Sequence, residues 1–324
     1  MTTSQRVINS YGAAVYSKER ELQKRAQECV KQYNKLQELK QIKNPHEALA
    51  AWKSYVTNIQ SVHKNCIESV DWDRIQRSRK PREPRKTRTH EFEAQFQLQN
   101  YTPSVLDKFS RSIQKKINRL KRNIDLAKIK DREENDLRYG RFLDDLRNWE
   151  VLQDIANGIQ KNKTVSYNNA LQYFKPFDII QEYGDDIIYS FSENALEIEL
   201  HVCTEKIIPK YELIQSESGK VYKRMLTTSK MQELYQNHVY SSSLKIAREV
   251  FAYLPLKQVI VNTINTNNSI LSSTKAQTDF SVSFDSKTIG KLNTDEIETT
   301  DDMFHFVDSM QENSSPAFNV ALSA

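Results

Sequence analysis

The pattern of apolar and polar positions is most informative between Thr228 and Thr263. Leu234, Tyr235, His238, Val239, Ser242, Ile246 and Val250 recur at steps of one, three and four, the period of an α-helix. Ser229 with Gln232 three residues on has the form of a capping box, and Pro255 marks the stop. The second half is apolar on more than one side, at Leu244, Ile246, Ala247, Val250, Phe251 and Leu254. That predicts a buried helix over Ser229–Leu254 rather than a surface one. The run VIVNTI that follows is short and β-branched, and predicts a buried strand over Gln258–Ile264.

The helical period appears three more times. Residues 16–43 carry a heptad-like seam at Leu22, Ala26, Cys29, Tyr33 and Leu36. Asn44 and Pro45 suit the cap and first position of a second helix reaching about Ile67, with Leu49, Trp52, Val56, Ile59, His63 and Cys66 on its apolar face. The two together read as an antiparallel hairpin. From Pro103 a third seam runs through Ile113, Ile117, Leu120, Ile124 and Ala127. It loses register over Asp131–Gly140 and returns at Phe142, Leu146, Trp149, Leu152, Ala156 and Ile159, so residues 103–160 form either one bent helix or two antiparallel ones. Gly158 and the KNK that follows suggest the stop.

Beyond residue 164 the period changes. Residues 164–183 suggest a short helix, YNNALQYF, followed by KPFDIIQEYG. In Ala195–Cys203, Leu196, Ile198, Leu200 and Val202 alternate strictly with Glu197, Glu199 and His201, the mark of a half-buried strand. Further strands are expected over Ile187–Ser192, Lys206–Leu213, Lys220–Leu226 and Thr278–Phe284, and a last helix over Asp295–Met310. The fold class is α+β: an N-terminal antiparallel long-helix, coiled-coil-like arm, then a compact mixed or antiparallel sheet domain with a central buried helix. The expected division is 1–163 for the arm, with a basic loop at 74–90, then 164–310 for the α+β domain and 311–324 for a flexible tail.

Composition narrows the chemistry. The 324 residues include six glycines and eight prolines, so Gly-rich phosphate cradles are scarce. No apolar run approaches the ~20 residues that span a bilayer. Cys29, Cys66 and Cys203 have no paired spacing, and MTTSQRVINSYG lacks the apolar core of a secretory signal. The expected setting is therefore reducing and cytoplasmic. No Gly-x-Ser-x-Gly, Cys-x-x-Cys or His-Glu-x-x-His motif occurs. His63 and Cys66 lie one turn apart, yet no second Cys/His pair supplies the other ligands zinc requires, so they read as core residues.

The net charge of +5 is mild but unevenly spread. RIQRSRKPREPRKTRTH, from Arg74 to His90, holds eight basic residues against one acid, Glu83. Pro81 and Pro84 keep it from forming a helix. It reads as an exposed loop able to grip phosphates, RNA or an anionic membrane surface, or as a solvated linker docked on acidic helices of the same chain. The expected nucleic-acid contacts are Arg77, Arg79, Lys80, Arg82, Arg85, Lys86 and Arg88, joined by Lys115, Arg119 and Arg122 on the basic face of the third helix. Phe92, Phe96 and Tyr101 follow, at a spacing that suits base stacking and core packing equally.

Three blocks, SVHKNCIESVDWDRI, NYTPSVLDKF and YQNHVYSSSLKIAREVFAYLPLKQVIVNTI, resemble an uncharacterised family of bacterial proteins, some with an extra β-rich module ahead of the helices. The resemblance spans roughly His46 to Val307. It implies a bacterial or phage-related source and the two-part architecture, and it carries no known activity and hence no catalytic residue. The basic run after Asp73 and the Ser/Asn-rich C-terminus depart from it.

One acidic constellation competes as a site. Glu197, Glu199 and His201 share one face of a strand. With Asp185 or Asp186 upstream they invite comparison with magnesium-dependent nucleases, although His201 stands where those enzymes carry a lysine. A polar, solvent-facing side of an antiparallel strand explains the same pattern. Arg248 and Glu249 read as a structural ion pair with the sheet edge, and His238 with Ser241–Ser243 as close helix packing. The leading expectation is a non-enzymatic interaction or scaffold protein, self-associating or binding a protein partner through its seams and contacting nucleic acid through the basic loop, with no cofactor and no metal. A nuclease using the acidic strand and a membrane-surface or partner adaptor are the alternatives.

Overall fold

The computed structural model describes residues 11–38, 44–64, 66–103, 113–192, 195–266 and 278–290. The fold class is α+β, as the pattern of periods predicts. By contacts the chain forms two units, Met1–Asn9 with Asp73–Asp154, and Ser10–Trp72 with Ile155–Ala324. No helix of the described residues is long and apolar enough to cross a membrane.

The larger unit opens with α1 (Tyr11–Glu38) and α2 (Pro45–Gln60). Asn44 caps α2 by accepting the backbone N–H groups of His46 and Glu47, as its sequence foretells. The hairpin is antiparallel: Tyr33 stacks on Tyr55 with centroids 3.8 Å apart, and Asn58 meets Cys29. It is not a free arm. Tyr55 donates to Ile207 O, Gln23 to Lys175 O and Gln27 to Glu182, all residues of the same unit as the sheet. The first two helices thus group with the sheet, whereas the sequence placed all of 1–163 together. Helix α2 also ends earlier than expected. A 3-10 turn covers Val62–Lys64, so His63 and Cys66 lie beyond the helix, where the Cys66 thiol donates to His63 O.

The sheet has the order β1 (Asp186–Phe191), β2 (Ala195–Val202), β5 (Gln258–Asn265), β6 (Thr278–Asp285). Strands β2 and β5 are parallel, and both outer pairings are antiparallel. Leu196, Ile198, Leu200, Val259 and Val261 are fully buried on one face. Strands β3 (Tyr211–Gln215) and β4 (Val221–Met225) form a separate hairpin instead of joining the sheet. The strand expected over Lys206–Leu213 is displaced. Residues 204–207 form the short helix α8 (Thr204–Ile207), and the strand begins only after Pro209, which has no N–H for a ladder. The expected last helix and the tail lie outside the described residues.

Helix α9 (Thr228–Tyr253) is the buried centre, bounded within two residues of its expected ends. Its cap is Thr227, whose hydroxyl accepts Lys230 N–H; Ser229 sits inside the helix. It packs on β5, and the segment that follows α2 runs beside it. That segment is tied by Val70 N–H to Ala252 O at 2.7 Å and by the Trp72 indole to Tyr253 O at 2.6 Å.

Of the two readings of residues 103–160, the structure shows one continuous helix, α5 (Ile113–Gln160), over the described part. It runs two residues past Gly158 and stops at Asn162, which is left-handed at φ 52°. Gly158 serves contact rather than termination. A Cβ built there would overlap the Ser166 side chain, in α6 (Thr164–Phe174). Gly158→Ala is therefore expected to lower the melting temperature despite its better helix propensity, because overpacking costs about 1–3 kcal/mol against about 1 kcal/mol gained. Adding Ser166→Gly should restore most of the loss in thermal melts; an unchanged single variant would contradict the close approach.

Candidate nucleic-acid interface

The smaller unit is built on α5 and the basic segment, which docks along it. The half-covered face of α5 passes from Ile124 and Ala127 through Asp131, Asn135 and Arg138 to Phe142 and Leu146 without breaking its three- and four-residue steps. The register lost in the apolar pattern over Asp131–Gly140 is thus a change of side-chain chemistry, not of phase. Asp131 and Asn135, with Trp149 and Gln153 further along the helix, hold the basic segment. Gln153 donates to Ile75 O at 2.6 Å, and the Trp149 indole to Ser78 O and Oγ. Asn135 pairs with Thr87 like a strand neighbour, accepting its N–H at 3.0 Å and donating to its O at 2.8 Å. Asp131 accepts the N–H groups of His90 and Glu91 at 3.1 and 2.8 Å, in the first turn of α4 (Thr89–Gln99). Chain residues 75–91 therefore follow the helix from 153 back to 131 as a strap.

Exposure along the strap has a period of three. Ser78, Pro81, Pro84, Thr87 and His90 are half-buried, and the two residues after each of Ser78, Pro81, Pro84 and Thr87 are exposed. Three residues per turn is the period of polyproline II, to which Pro81 and Pro84 are suited. The arginines repeat in step, at Arg79, Arg82, Arg85 and Arg88, and fall on one outward line. This triplet, S-R-K, P-R-E, P-R-K, T-R-T, was readable in the sequence and is not apparent from a count of charges.

Attachment through the strap's backbone groups, to Gln153, Trp149, Asn135 and Asp131, leaves its cationic side chains available. Lys80 reaches Glu150 at only 4.0 Å, and Arg77 reaches Asp73 at 3.9 Å, with all four side chains largely exposed; such pairs are worth little. Among the described residues, Arg79, Arg82, Arg85, Lys86 and Arg88 have no carboxylate within ion-pair distance. The anchors are electrostatically quiet by comparison. Burial works against the Asp131 carboxylate, but its two backbone N–H donors hold its pKa below the usual value; the hydrogen bond from His90 lowers Glu134.

Lys115, Arg119 and Arg122 are exposed on α5 but do not interleave with the strap. They lie nine to sixteen residues before Asp131, roughly 14–24 Å along the axis at 1.5 Å per residue. That exceeds a Debye length of about 10 Å at 0.1 M salt, so the two basic features act largely apart. Phe92 and Phe96 are each 65 % exposed, and the covered side of α4 is that of Ala94 and Leu98. The spacing that suited core packing equally well is not used for it.

Glu197, Glu199 and His201 do share the open face of β2, with His201 Nε2 3.3 Å from Glu199 Oε2, both on the surface. Asp186 stands opposite His201 in the β1–β2 register, whereas Asp185 is buried elsewhere. Among the described residues no three His, Cys, Asp or Glu side chains are grouped as metal ligands.

The polar groups that sequence reasoning underrated lie inside the larger unit. His238, buried, bonds Asp185 at 2.8 Å and Ile59 O at 3.0 Å. His63 Nδ1 lies 2.9 Å from Ser241 Oγ. Lys245 and Glu249, both fully buried, pair at 2.7 Å; Glu249 also accepts Ile67 N–H, and Arg248 instead donates to His63 O. Glu249 is therefore paired one turn back along its own helix, not with the sheet edge. Burial lowers the Lys245 ammonium pKa, yet the charge of Glu249 and its hydrogen bond, with Cys66 and Glu19 nearby, together leave it raised. Burial likewise pulls His238 down, and the Asp185 carboxylate beside it more than restores it. An open depression of about 480 Å³ in this unit is lined by Leu171, Phe177, Ile187 and Tyr189 among others, and by none of these buried groups.

Glu19 completes the cluster, fully buried and 3.4 Å from the Tyr253 hydroxyl. Burial, with the nearby Glu249 charge, pushes its carboxyl up to about 8. The folded state thus keeps a proton that the unfolded chain, at 4.5, releases. Its contribution to stability is greatest below pH 4.5 and declines as pH rises to 8, by up to ~1.4 kcal/mol per unit. Glu19→Gln should be neutral at pH 5 and clearly stabilising at pH 8 in urea titrations. An equal effect at both pH values would contradict the raised pKa.

No family model, curated protein or solved structure matches the chain, and neither the resemblance of its three sequence blocks nor a bacterial source gains support there.

Proposed function

We propose that this chain is a non-enzymatic interaction protein that contacts nucleic acid through the strap. The observation that supports it is the mode of attachment. A segment with eight basic residues and one acid is fixed through its backbone by an indole, two amides and the Asp131 carboxylate, none of them meeting a basic side chain. Its own charges stay outward, and at Arg79, Arg82, Arg85, Lys86 and Arg88 no described carboxylate neutralises them. A solvated linker docked on acidic helices would spend those charges on the helix it follows. A held array of cations is instead pre-organised for phosphates, whose counterions it releases on binding. Self-association and a cytoplasmic setting fit this reading as expectations.

The test is binding of labelled single-stranded and duplex nucleic acid across a salt series, with and without magnesium. Five available cations predict a log–log slope of magnitude roughly 3.5 on single strands, at about 0.7 per phosphate contact. Binding without cleavage supports the proposal. No binding at low salt overturns it, and cleavage only with metal would move the site to Glu199 and His201.

A further inference from the structure

The strap runs directly into α4, where Phe92 and Phe96 stand one turn apart on the side away from Ala94 and Leu98. Two exposed phenyl rings at this spacing invert the usual arrangement of a short helix, which turns its large apolar residues inward. Their Cβ atoms are about 5–6 Å apart, suited to successive nucleotides. The anion site that a helix N-terminus offers is already taken: Asp131 accepts the N–H groups of His90 and Glu91. Phosphates therefore find their cations on the arginine line, and what α4 adds is aromatic surface. Among the exposed residues here only Glu83 and Glu93 are acidic, and Glu93, beside the rings, disfavours a phosphate there.

We infer that the strap and α4 form one site for single-stranded nucleic acid, its phosphates along Arg79, Arg82, Arg85 and Arg88 and two of its bases stacked on Phe92 and Phe96. The inference rests on the proposed polyanion contact and adds strand state and base contact to it. A duplex hides its base faces in its own stack and leaves the rings unused, whereas every unpaired base has a face to offer.

Three labelled probes of equal length separate the possibilities: a single-stranded oligonucleotide, its duplex, and an abasic strand with the same phosphates. The full chain should bind the intact single strand most tightly. Phe92→Leu with Phe96→Leu keeps apolar side chains at exposed positions and removes the aromatic faces. It should weaken single-strand binding by roughly 5- to 150-fold per stacked base and leave the salt slope and abasic binding unchanged. If the double variant binds the intact strand like the wild type, or the abasic strand binds as well as the intact one, the stacking site is overturned and the polyanion contact stands. If none of the three probes binds with salt dependence, whether or not anionic vesicles do, both readings fall.

Discussion

Lys245→Met should destabilise the larger unit by about 3–5 kcal/mol at neutral pH, the cost of leaving a buried carboxylate without its partner. Lys245 and Glu249 lie one turn apart on α9, neither exposed to water. Glu19, the third titratable group of the cluster, is an acid and cannot replace the lysine. Removing the ammonium leaves the Glu249 carboxylate buried without its partner, the costly case for a charge in a core. Replacing both members, Lys245→Met with Glu249→Gln, keeps an acceptor for Ile67 N–H and removes both charges. That double variant should recover most of the loss, since a well-packed neutral pair is often as stable as a buried ionic one. Urea titrations of the two variants at pH 7.5 decide it. A single variant as stable as the wild type would mean that the charges do not pair in the core.

Reversing Arg79, Arg82, Arg85 and Lys86 to Glu should weaken nucleic-acid binding by about a thousandfold or more at low salt and bring the salt slope close to zero. Four of the five available cations are lost, and the strap's own charge changes sign. The fold should survive, because these side chains are exposed and the strap is held by Gln153, Trp149, Asn135 and Asp131. The matching reversal of Lys115, Arg119 and Arg122 is the control. Set roughly 14–24 Å from the strap's anchored end, these residues should alter the slope by a smaller amount. Equal losses from the two variants would join them into one surface; unchanged binding after strap reversal would rule the strap out as the contact.

The contrast between what the sequence did and did not reveal follows the range of the interactions. Helix α9 and strands β2 and β5 were legible because local period and residue type point the same way. The cap was placed at Ser229 instead of Thr227 because three hydroxyl residues, Thr227, Thr228 and Ser229, stand in a row and any of them can accept an N–H. The parallel pairing of β2 with β5 is made across some sixty residues, and no local pattern encodes it. The strand drawn through Lys206–Leu213 failed at a local rule, since Pro209 should have stopped it. The arginine array was found as composition but not as geometry, which needed the three-residue period to be set beside the seam of α5. Glu249 was paired with its chain neighbour Arg248, and Lys245 and Glu19 were passed over. A helix apolar on several sides leaves its own charges nowhere to go but inward, and the four-residue step from Lys245 to Glu249 already supplied the partner.

The division of the chain also sets an order of events during synthesis. Asp73–Asp154 is an insertion: the first helices belong with residues that emerge only after it. The strap and its anchors can close as soon as Gln153 is made. Trp72 must wait for Tyr253, 181 residues later, and Tyr55 for Ile207. At about 5–20 residues per second the delay is roughly 10–35 s for Trp72 and roughly 8–30 s for Tyr55, during which these side chains lack their partners. The nascent chain therefore carries an apolar helical hairpin without its core for that interval, a stage at which chaperones or early self-pairing have their longest opportunity to act.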